Sequence, residues 1–118
     1  MNHYLKQANE FLKLAEKEFK EGKSKKNLIQ VRQAAEKGWN ATVQATNGLF
    51  AKKGYSVPKS NQKRRDKLER IAPELRPDFD QKAFSLHSRC FYDGVCPLHI
   101  IKKDIKEVRD YIKKIEKK

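Results

Sequence analysis

The sequence predicts an all-α fold, a bundle of about five helices that opens with a long antiparallel hairpin. Three observations carry this. Apolar residues recur at steps of three and four, no segment reads as a strand, and most of the nine Gly and Pro residues fall between periodic segments. The first helix is expected from about Asn2 to Glu21, with Leu5, Ala8, Leu12, Ala15 and Phe19 on one face and Gly22 at its end. Ser24 is the expected N-cap of a second helix reaching about Ala51, with the stripe Leu28, Val31, Ala35, Trp39, Thr42, Thr46 and Leu49. The link between the two is so short that they must run antiparallel.

Gly54 to Pro58 reads as a loop. Ser60 then caps a third, highly charged helix from Asn61 to about Leu75, frayed by Pro73. Pro77 opens a fourth helix through about Tyr92, with Asp78 and Asp80 placed favourably against its dipole. Asp93 and Gly94 stop it, and Pro97 opens a fifth whose stripe is Ile101, Ile105, Val108, Ile112 and Ile115. A chain of 118 residues forms one domain over 1–118, large enough to fold without disulfide or metal.

The chain carries 28 Lys and Arg against 15 Asp and Glu, a net +13, which favours an anionic partner and says nothing of fold. Cys90 and Cys96 lack the spacing of a zinc site, and Cys90 falls on the apolar stripe of helix four, so a buried thiol is expected. Neither a signal peptide nor a membrane-spanning run is visible, and a reducing, cytoplasmic setting is the default expectation. No metal site and no cofactor are expected.

From Gly38 to Ala51 helix two carries no charge on any face, so it should be covered on more than one side. Gly38, Ala41, Ala45 and Gly48 share one quadrant, where another backbone can approach closely. A compact sphere of this mass is roughly 35 Å across, whereas a helix of about 28 residues spans roughly 42 Å. Two coverings meet that geometry. One is a second copy of the chain, with these four residues at the interface of a homodimer, and the other is an elongated monomer that covers helix two with helices four and five.

Residues 33–54, QAAEKGWNATVQATNGLFAKKG, together with residues 84–94, FSLHSRCFYDG, and the charged last helix give the chain a likeness that covers nearly its whole length. It resembles the HEPN superfamily, and within it the small archaeal-type PaREP group. The resemblance implies a helical bundle, commonly homodimeric, in a superfamily associated with RNA cleavage, nucleotidyltransferase partners and toxin–antitoxin or defence systems. Catalytic members carry Arg, four to six residues, then His. Here His87 stands at the family's His, but the residue separated from it by four is Lys82, and the nearest upstream arginine, Arg76, is separated by ten.

Metal-independent RNA cleavage requires proton transfer and a cation on the phosphate, roles that His87 with Lys82 or Arg89 would fill. On a regular helix Lys82 and His87 diverge by about 140° and Arg89 and His87 by about 160°, so convergence needs a second copy. A packed histidine beside Phe79, Ala83, Leu86 and Cys90 is the alternative. For binding, the segment Lys52 to Arg76 carries nine cations against three acids, a net +6. Within it Lys59, Lys63, Arg64, Arg65 and Arg70 are expected to meet phosphates and Tyr55 to stack on an unpaired base. The opposing view is that 21 of the 28 cations are lysine, as in a heat-adapted surface. The reading taken is a non-catalytic RNA- or protein-binding module, with a metal-independent ribonuclease as the alternative.

Overall fold

The computed structural model describes residues 2–118, an all-α molecule of 43 × 25 × 21 Å. Helix α1 runs His3–Ser24 and α2 Leu28–Lys52. Helix α3 runs Asn61–Ile71, followed by a 3₁₀ turn at Pro73–Leu75. Helix α4, Arg76–Lys82, continues into a π-helical segment, Ala83–Tyr92, and α5 spans Leu98–Glu116. No helix among the described residues is long and apolar enough to cross a membrane.

The predicted stripes of α1 and α5 are buried without exception. Each buried Leu, Ile or Val contributes on the order of 2 kcal/mol by leaving water. Asn2 caps α1 by accepting from Leu5 N, and its amide donates to Gly48 O at 3.0 Å, so the start of α1 meets the end of α2. At the other end Gly22 packs on Val31. The two helices therefore form the antiparallel hairpin that the short link requires. Gly22 does not terminate α1. A Cβ there would lie 3.0 Å from Val31 N, so its role is close approach between helices. The reversal falls instead at Lys26, in the left-handed region with φ 53°. Asn27, not Ser24, caps α2 by accepting from Gln30 N at 3.1 Å, which leaves Leu28 in the first turn half exposed rather than in the stripe.

Helix α3 ends at Ile71 because a residue preceding proline is pushed out of the helical region, and Ala72 sits at φ −149°, ψ 67°. The fourth helix keeps its expected length but changes pitch at Ala83, where backbone bonds lengthen to five residues, as in Asp93 N to Ser88 O at 3.1 Å. Around α2 the neighbours fall into place. Gly38 meets Ile105, Thr46 bonds Tyr111, and Lys52 bonds Ile115 O, so α5 runs parallel to α2. Trp39 packs on Phe79 and Arg32 bonds Phe91 O, so α4 and the π segment run antiparallel to it.

The uncharged run is covered on several sides, as a helix without charge requires. Ala41 and Ala45 are fully buried, a Cβ on Gly38 would lie 3.2 Å from Leu86 Cδ1, and one on Gly48 would lie 2.6 Å from Leu5 Cγ. The small-residue face is filled by the chain's own helices within one copy. The 25-residue α2 fits within the 43 Å long axis, so the monomer is elongated and nothing overhangs. One correction concerns the cysteines. Cys90 is buried, but it is joined to Cys96 in a disulfide, because the reversal after the π segment brings their Cα atoms to 4.6 Å.

Candidate nucleic-acid interface

The basic segment becomes a cleft. Helix α2 ends with Gly54 at φ 81°, where Gly54 N bonds Ala51 O at 3.1 Å and Tyr55 N bonds Phe50 O at 2.9 Å. These two bonds are the Schellman closure, which only a residue free of left-handed strain makes at low cost. The chain leaves α2 sharply there, with Tyr55 half exposed, and runs along α3 until Ser60 accepts from Lys63 N at 3.2 Å and starts that helix. Between the loop and α3 lies an open cleft of about 390 Å³ lined by Ser56, Val57, Pro58, Lys59, Lys63, Asp66, Lys67 and Arg70. Four cations against one carboxylate make it strongly positive, and none of Lys59, Lys63 and Arg70 takes part in the ion pairs of the described residues.

Helical geometry sorts the six residues expected here. Leu68 is fully buried and anchors α3, so Arg64, one turn before it, lies on the inner face. Arg64 donates to Asn47 Oδ1 at 2.8 Å and to Asn61 Oδ1 at 2.9 Å, and burial holds its pKa below the ordinary arginine value. Arg65 donates to Asp80 Oδ1 at 2.7 Å and lies 5.7 Å from the centre of the Phe79 ring. Both arginines serve packing. Lys63 and Arg70 occupy the opposite, open face, and Lys59 approaches from the loop. The residue the sequence reading left out is Lys67, one turn from Lys63. Its ammonium donates to Ser56 O at 2.8 Å and Ser56 Oγ at 3.1 Å. The spacing 63, 67, 70 against buried Leu68 was the available signal.

The three catalytic candidates do not converge within the chain. His87 Nδ1 pairs with Glu36 Oε1 of α2 at 2.7 Å, and its ring lies among Trp39, Phe91 and Tyr92. Lys82 is buried and turns toward α5, donating to Glu107 Oε1 at 2.9 Å and Gln81 Oε1 at 2.6 Å. Arg89 is exposed. The contacts of His87 belong to α2 and those of Lys82 to α5, so no single phosphate would meet both within one copy. Lys82 belongs to a buried network that the sequence did not announce. Gln81 Nε2 and Ser85 Oγ both donate to Asp104, itself almost fully buried, and the set ties α4 and the π segment to α5. Satisfied networks of this kind fix register between helices.

A family model described as a domain of unknown function, DUF5618, matches residues 1–117. No curated protein and no solved structure matches the chain.

Proposed function

The chain belongs to the DUF5618 family, and from the chemistry of its surface we propose that it is a non-catalytic binding module that holds single-stranded RNA in the cleft between residues 56–59 and α3. One observation carries this reading. Four cations, Lys59, Lys63, Lys67 and Arg70, line one cleft with the single carboxylate of Asp66, and Lys59, Lys63 and Arg70 take part in none of the ion pairs of the described residues. A lysine-rich surface adapted to heat gains from paired networks, of which Arg109 with Glu16 and Lys37 with Glu18 are examples, and a one-signed cluster around a cleft adds no such pair. Phosphates of a polynucleotide meet that charge, and the half-exposed ring of Tyr55 at the cleft's end offers a base a face.

The likeness to HEPN domains over residues 33–54 and 84–94 supports RNA as the polynucleotide, with a nucleotidyltransferase-type protein or a second copy as the companions that likeness implies. Fluorescence anisotropy with a labelled single-stranded RNA oligonucleotide tests the proposal. An affinity that drops steeply as salt rises is expected, and no detectable binding at low salt would refute it.

A further inference from the structure

We propose that Lys67 is a positioning residue that shapes the cleft, and that the phosphate contacts belong to Lys59, Lys63 and Arg70. This inference rests on the reading of the cleft as a polynucleotide site. The ammonium of Lys67 is already committed. It donates to the carbonyl and the hydroxyl of Ser56 at 2.8 and 3.1 Å, and it lies 5.6 Å from the centre of the Phe50 ring and 5.7 Å from that of Tyr55. These bonds tie the loop to α3 and take two of the three ammonium donors.

The partners of Lys67 span the cleft wall, the core and the exposed ring beside the cleft. Ser56 belongs to its wall, Phe50 is buried in the core, and Tyr55 is the candidate stacking ring. Lys67 therefore fixes the Tyr55 ring relative to the core and holds the loop that delivers Lys59 opposite Lys63. Cations near aromatic faces stiffen such arrangements without losing their charge. Lys59, Lys63 and Arg70 have no such internal partners and remain available to phosphate.

A double-mutant cycle separates positioning from contact, since residues acting through one another lose additivity. Single-stranded RNA affinity is measured for the wild type, Tyr55→Ala, Lys67→Met and the double variant, with Lys67→Arg as the conservative replacement. Tyr55→Ala is expected to weaken the wild type about tenfold but the Lys67→Met protein by less than about threefold, because a released ring stacks poorly. Lys67→Arg, which keeps charge and donors, should restore most of the tenfold factor. Hydrogen exchange of amides 55–59 should accelerate in Lys67→Met and not in Lys63→Met. Equal Tyr55→Ala factors in both backgrounds, with unchanged exchange, would make Lys67 an independent contact and overturn the inference while leaving the cleft reading intact. A wild type that binds no RNA removes both.

Discussion

Arg64 Nε donates to Asn47 Oδ1 at 2.8 Å and so ties the first turn of α3 to the buried end of α2. An arginine in a basic segment is thus a structural group, while its neighbour Lys63 faces solvent in the cleft. Arg64→Met leaves Asn47 Oδ1 without its donor, and it should lower stability by about 1–3 kcal/mol. The slope of log affinity for RNA against log salt should stay at the wild-type value. Chemical denaturation and a salt titration check the two halves.

The difference between Arg64 and Lys63 shows what the sequence carries and what it conceals. The stripes Leu5 to Phe19 and Ile101 to Ile115 announce their helices because one period runs through them undisturbed. The charge cluster likewise announces a basic surface, yet charge counts ignore direction. Only the burial of Leu68 decides which cations of α3 turn inward. The uncharged run correctly signals a helix covered on several sides, but composition does not say whether the cover is another copy or the chain's own α5 and π segment. The change of pitch at Ala83 preserves the apolar pattern and leaves no sequence mark. The pairing of Cys90 with Cys96 depends on a chain reversal that spacing alone does not specify.

Gly48→Ala tests the close packing of α1 on α2. The added Cβ would lie 2.6 Å from Leu5 Cγ, in a core position with little room to yield. Overpacking costs about 1–3 kcal/mol, only partly offset by the better helix propensity of alanine. Gly54→Ala meets nothing within 4 Å and is strained only by its φ of 81°, a cost of roughly 1–2 kcal/mol. Thermal unfolding should find both variants destabilised, for different reasons. A second measurement distinguishes them, because only Gly48→Ala should disturb the resonances of Leu5.

Tyr111 predicts an alkaline loss of stability. Burial is the main cause that pushes its phenol above the ordinary value, and the nearby charges of Asp78 and Asp80 act in the same direction. An unfolded tyrosine ionises near pH 10. Above that pH the unfolded chain binds fewer protons than the folded one, so stability falls as pH rises from about 10, with no contribution below it. The slope from this one group is at most about 1.4 kcal/mol per pH unit. Tyr111→Phe should lose the hydrogen bond to Thr46 Oγ1, 2.7 Å long in the wild type, at about 1 kcal/mol near neutral pH, and should show a shallower decline above pH 10.

Reduction of the Cys90–Cys96 bond should destabilise the chain without unfolding it. Closing so short a loop removes about 2 kcal/mol worth of freedom from the unfolded state in the chain-entropy model. Arg32 continues to hold the segment through Phe91 O at 2.9 Å and Tyr92 O at 2.8 Å. Denaturant midpoints of the wild type with and without a dithiol reductant, and of Cys96→Ser, should agree on a loss of this size. A fold that collapses on reduction contradicts the expectation.

The most direct test compares salt slopes for a short single-stranded RNA between the wild type and the triple variant Lys59→Gln, Lys63→Gln, Arg70→Gln. Each phosphate neutralised on a single strand contributes about 0.7 to the slope. If the cleft holds the RNA, the triple variant should bind far more weakly with a slope smaller by about 2, while the matched double variant Arg64→Gln, Arg65→Gln keeps the wild-type slope. An unchanged slope in the triple variant, or an equal fall in the double variant, would contradict the assignment of this cleft.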